Sequence, residues 1–174
     1  MPPTSLLNPH LFPTSLARLA TPEDIAILAA KLRPECDLEL RSSTGTDPET
    51  ALKADLGSVY VIESRRHQPL AALIVSSDVD NRRIGYLQIV VAKDVAPWRC
   101  GTHVVKSISE AVLEMHRSGM DTIHAIVDFR NVSTSKLLVE LGFGFVKRMD
   151  HFGAERIEVN LYTSQWKSPS GLSH

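Results

Sequence analysis

The 174 residues are 43% hydrophobic, which suits one globular domain with a core of its own. Nineteen basic residues against 20 acidic ones give a formal net charge of -1, so no general electrostatic attraction to nucleic acid is expected. No segment approaches the roughly 20 apolar residues that span a bilayer, and "MPPTSLLNPHLFPTSL" lacks the basic region and continuous apolar run of an export signal.

Four prolines and little periodicity in residues 1–13 predict an extended arm ahead of a single domain over 14–166. "SLARLA" reads as a first strand. "TPEDIAILAAKL" carries a helix start, with Thr21 as N-cap, Pro22 at the first helical position and acids in the first turn. "RPECDLELRSSTG" holds a short helix ended by Gly45. "DPETALKADLG" repeats the signal, with Asp47 as cap, Pro48 behind it and Gly57 as stop. The period then changes. "SVYVIES" and "PLAALIVSS" are strand-like across the turn "RRHQ", and "RIGYLQIVVAKD" is a third strand.

Residues 101–118 are helical, with Val104, Val105, Ile108, Ala111, Val112 and Met115 forming one apolar stripe, and Gly119 ends them. "TIHAIVD" is a buried strand. A helix over 131–141 closes at Gly142, and "FGFVKRM" and "RIEVNLYT" form a final pair across "DHFGAE". Residues 167–174 read as a loose tail.

The order β-α-α-β-β-β-α-β-α-β-β implies an α/β (α+β) fold. Its sheet is mixed and mostly antiparallel, with one parallel pair flanked by helices. Parallel strands that splay apart leave a slot, where exposed backbone groups and a helix N-terminus can hold a phosphate-bearing ligand. Cys36 and Cys100 show no metal-binding spacing, and reduced thiols suit the expected compartment, the cytoplasm of a cell or of an infected host.

"NVSTSKLLVELGF", at the end of this order, resembles the GCN5-related N-acetyltransferases (GNAT), above all members that acetylate protein N-termini. Asn131, Thr134, Leu137, Leu138, Gly142 and Phe143 fall on the family's spacing after its fifth strand. The likeness covers roughly residues 55–166. "DLELRSSTGTDPETAL" and "HFGAE" add a second likeness, to phage-encoded proteins of the same acetyltransferase-like fold.

The resemblance implies acetyl-CoA as co-substrate, no metal, and an amine acceptor: a protein N-terminus, a lysine or a small amine. It places Asn131 near the pantetheine arm, beside the plainer reading as an N-cap. Thr134 faces the slot, as a weak candidate acid or as a back-bonded hydroxyl. The strand around Ile89, Val90 and Val91 would offer N–H groups to the thioester carbonyl.

The pyrophosphate loop departs from the family's Arg/Gln-x-x-Gly-x-Gly/Ala. The stretch is "VAPWRCGTHVVKS", and Arg99, Cys100, Gly101, Thr102 and His103 occupy its place. With Gly101 as the last glycine, Arg99 replaces the first and Ala96 the Arg/Gln. With Gly101 as the first, Trp98 and His103 are the departures. Arg99 would obstruct the pyrophosphate or bind it.

The tyrosine that many relatives use as general acid is Leu138 here. Near the expected base, Gln88 cannot take a proton, and His124 reads as a core histidine. Glu39 and Glu63 reach toward the acceptor side or are surface acids, and Tyr162 lines the slot or simply packs. Cys100 beside Arg99, with His103 nearby, reads as a packed cysteine rather than a nucleophile.

Two functions follow. One is an acetyl-CoA-dependent N-acyltransferase. The other is a non-catalytic protein of the same fold, such as a phage virion component or a host-interaction factor. A homo-oligomer or larger assembly is left open.

Overall fold

A computed structural model describes residues 17–95 and 102–166. In chain order the elements are β1 (Ala17–Leu19), α1 (Pro22–Ala29), α2 (Pro34–Thr44), α3 (Pro48–Ala54), a 3-10 turn (Leu56–Ser58), β2 (Val59–Glu63), β3 (Pro69–Ser77), β4 (Ile84–Val91), α4 (Thr102–Arg117), β5 (Thr122–Asp128), α5 (Val132–Glu140), β6 (Gly144–Phe152) and β7 (Arg156–Gln165).

Three helices separate β1 from β2, as the three N-terminal helix signals imply and one more than the element order counts. Gly57 is not the stop of α3, which ends at Ala54; the glycine sits inside the 3-10 turn. The final hairpin is longer than "FGFVKRM" implies, because β6 runs on to Phe152 and leaves only residues 153–155 as its turn.

The caps act as the sequence implies. The Thr21 hydroxyl accepts from the Asp24 amide at 3.2 Å, and the Asp24 carboxylate accepts from the Thr21 amide at 2.8 Å, a reciprocal capping box. Gly45 terminates α2 with φ 73°, a left-handed value that favours glycine.

One seven-stranded sheet has the order β1-β2-β3-β4-β5-β7-β6. Every neighbouring pair is antiparallel except β4 and β5, which are parallel. All five residues of β2 are buried, as are most of β3, because helices cover these central strands. The core runs from α1 and α2 across the sheet to the apolar stripe of α4, where Val104, Ile108, Ala111, Val112 and Met115 are all buried. Gly85 lets the α4–β5 connection approach β4 closely: a Cβ there would fall 2.4 Å from the Met120 sulfur. Among the described residues no helix is long and apolar enough to cross a membrane.

Candidate active site

The register of the parallel pair creates the site. β4 and β5 are partnered only over Ile84–Thr122, Gly85–Ile123 and Tyr86–His124. Beyond Tyr86 the strands part, and side chains from elsewhere fill the wedge between them. Leu87, Gln88 and Ile89 of β4 face Ala125, Ile126 and Val127 of β5. Thr134 and Leu138 of α5 and Glu39 of α2 complete this neck.

Two cavities lie near it along β4, and the first of them shares part of its wall with the neck. The first, about 310 Å³, shares Glu39, Leu87, Gln88 and Ile126 with the neck. Ser43, Asp55, Tyr86, His124, His151, Ile157 and Val159 extend its wall. The second, about 600 Å³, lies where the end of β4 meets the first turns of α4 and α5. It is lined by Arg33, Val91, Val95, Thr102, Ser133, Lys136 and Glu140, among others. Along β4 the lining passes from the first cavity, through the neck, to the second. Among the described residues no lysine or arginine lines the first cavity, whereas Arg33 and Lys136, with Glu140, line the second.

Asn131 and Glu39 join at the neck. The Asn131 side-chain oxygen accepts from the Thr134 amide at 3.2 Å and so caps α5. Its Nδ2 donates to Glu39 Oε2 at 2.8 Å, with the Cys36 sulfur 3.8 Å away. The other carboxylate oxygen of Glu39 accepts from the Asp128 amide at 3.1 Å. Asn131 is 1% exposed and Glu39 7%, so both are sealed from solvent on this side. Burial pushes the Glu39 carboxyl up to about 7, against the two N–H donors that favour its charged form.

Asp128, next to it, behaves differently. Burial would raise its carboxyl, but the Arg130 guanidinium holds it below the usual range through bonds of 2.9 and 2.6 Å. Burial also pushes the Cys36 thiol up, so it is a poor nucleophile. The Thr134 hydroxyl is buried and, among the described residues, has no hydrogen-bond partner.

Of the residues singled out in the sequence, the fold gathers Ile89, Thr134, Leu138, Gln88 and Glu39 at the neck. Val91 and Thr102 line the second cavity. Val90 is buried in the core beside them. His124 faces the first cavity while Nδ1 engages the Thr163 hydroxyl at 2.8 Å. Three residues lie elsewhere. His103 bonds the Glu63 backbone carbonyl at 3.1 Å. Glu63 is paired with Arg18 at 2.9 Å. Tyr162 is buried edge-on against Phe145, with ring centroids 5.8 Å apart. Arg99, Cys100 and Gly101 fall outside the described residues.

Sequence reasoning missed Arg33, Asp55, Lys136 and His151. Each belongs to a segment that reads as an ordinary surface turn or helix face. Only Glu39 carried a signal: three residues after Cys36 and beside Leu40, it shares the buried stripe of α2.

No family model matches this chain, and no curated protein sequence matches it. Solved structures do. A ribosomal-protein-alanine N-acetyltransferase from Brucella melitensis superposes with a TM-score of 0.66 at 18% identity, covering 87% of this chain and 99% of that one. An acetyltransferase of the GNAT family from Streptococcus pneumoniae gives 0.58 at 22% identity, over 86% and 98% of the two chains.

The chain has the GNAT fold. A GNAT-superfamily phosphinothricin acetyltransferase from Sinorhizobium meliloti, solved in complex with AcCoA, superposes with a TM-score of 0.63 at 18% identity, over 87% of this chain and 88% of that one. Coverage at this level on both sides means the GNAT fold accounts for nearly the whole described structure.

Proposed function

We propose that this chain is an acetyl-CoA-dependent N-acyltransferase that moves an acetyl group to an amine. The observation that carries the reading is the neck. It is the closely packed wedge of the parallel pair, which shares its wall with a cavity lined by carboxylates and histidines and lies one step along β4 from a second cavity lined by Arg33, Lys136 and Glu140. A thioester held there meets an amine arriving from the first cavity.

The residues fit that co-substrate. Arg33 and Lys136, with the start of α4 at Thr102, are suited to phosphate groups. One Arg33 nitrogen already donates to the Val95 carbonyl at 2.8 Å, which orients the guanidinium beside the cavity. These cations offer an alternative to the glycines that the pyrophosphate loop lacks. Backbone N–H groups of β4 near Ile89 and Val91 have no β5 partner and would stabilise negative charge on the thioester carbonyl oxygen. The co-substrate supplies an activated acyl carbon. The similarity to a structure in complex with AcCoA supports the same reading.

Calorimetric titration with acetyl-CoA tests it. Micromolar binding is expected, weakened about tenfold by Arg33→Ala, the effect of one charge-assisted hydrogen bond. No heat at millimolar coenzyme would overturn the reading and leave a non-catalytic protein of the same fold.

A further inference from the structure

We infer that Glu39 is the proton acceptor for the incoming amine. This rests on the acyltransfer reading above. Of the described residues that line the neck, Glu39 is the one titratable group, and it also forms part of the wall of the first cavity. A proton carried by an amine in that cavity can therefore reach the carboxylate where the amine meets the thioester. Among the described residues no cation hydrogen-bonds Glu39. Its donors are the Asn131 side chain and the Asp128 amide, which hold it in place without neutralising it.

The charged and titratable groups facing it come from each packed element. Cys36 lies on its own helix, Asp128 ends β5 with Arg130 just after it, and His124, His151 and Asp55 border the shared cavity. Arg130 is committed to Asp128 through two bonds. With burial dominant, the carboxyl titrates near 7, where a general base works best at neutral pH.

The chemistry balances. Glu39 takes one proton from R–NH3+ and becomes a neutral acid. The free amine lone pair forms the C–N bond to the acyl carbon, and the C–S bond breaks with its electron pair on sulfur. The amine's second proton goes to that sulfur, giving the free thiol. Leu138, where many relatives carry a tyrosine, offers no proton for this last step, and the amine's own second proton completes it. Glu39 then returns its proton to water.

The test uses the full chain, acetyl-CoA, and a defined acceptor panel of short peptides with free α-amines plus putrescine. Wild type should show kcat falling on the acid side of a pKa near 7. Glu39→Gln should lower kcat by at least 100-fold, abolish that limb, and leave calorimetric acetyl-CoA affinity within twofold. Glu39→Asp, which restores a carboxylate at shorter reach, should recover part of the rate and the limb. In a 13C-glutamate sample, one carboxyl signal should titrate near 7 and be missing in Glu39→Gln.

A Glu39→Gln enzyme with near-normal kcat and the same limb overturns the inference while acyltransfer stands. So does a limb removed by His124→Asn instead, or a Glu39 carboxyl that titrates at an ordinary carboxylate pH. Loss of acetyl-CoA binding by the wild type overturns the acyltransfer reading itself, and the inference falls with it.

Discussion

Asn131 uses both halves of its amide inside the protein. Its oxygen caps α5, and its nitrogen is held by Glu39. Its contribution to a ligand site is therefore indirect, through the position of the carboxylate and of the α5 N-terminus. Glu39 in turn leaves a mark on stability. Its folded-state carboxyl, near 7, lies above the ordinary unfolded value of about 4.5. Between those values the folded state binds more protons than the unfolded state. Stability therefore falls as pH rises from about 4.5 to 7 and is flat above that, with Glu39 contributing a loss of up to about 3 kcal/mol. Urea denaturation across this range should show that decline, and Glu39→Gln should remove most of it. A stability that rises through the same window in wild type, with Glu39→Gln parallel to it, would contradict the assignment.

Among the elements, the β6–β7 turn and α2 make an unexpected contact. The Ala154 and Glu155 amides donate to the Ser43 and Ser42 carbonyls at 3.1 and 3.4 Å. These satisfy backbone acceptors at the end of α2 and tie the hairpin to the helix that carries Glu39. Gly153 makes the approach feasible, since a Cβ there would sit 2.6 Å from the Ser43 carbonyl oxygen. Gly153→Val must push the turn away from α2. It should lower stability by about 1–3 kcal/mol and speed exchange of the Ala154 amide, as hydrogen exchange followed by NMR would show. Unchanged exchange at Ala154 would mean that the tie does not hold in solution.

At the scale of the whole molecule, the sheet order sets a gradient of stability. β3 lies between β2 and β4 under helices and is mostly buried, whereas β6 is an edge strand exposed along most of its length. Edge pairing opens without exposing the core. Amides of Leu73 and Val75 should exchange only through global unfolding, and those of Lys147 and Arg148 on the order of 100-fold faster or more. Exchange mass spectrometry checks this, and equal protection of the two strands would contradict it.

Much of this was legible before the structure. Thr21, Asp47, Gly45 and Gly142 mark element ends through local hydrogen bonding and backbone conformation, which depend on a few neighbouring residues. The apolar stripe of α4 and the alternating strands fix which faces are buried. Those local signals determined the elements, most of their order, and the single parallel pair. Only the tertiary structure decided the site. Whether Glu39 is a surface acid or a buried base depends on Asn131, 92 positions away in sequence, and on the Asp128 amide. Nor does local pattern show that Arg33 and Lys136 border the same cavity, or that His103 and Glu63 meet away from it. The physical reason is range. Caps and periodicity act within one or two turns of chain, but desolvation and pairing of a charged group depend on whatever the fold brings within a few ångströms.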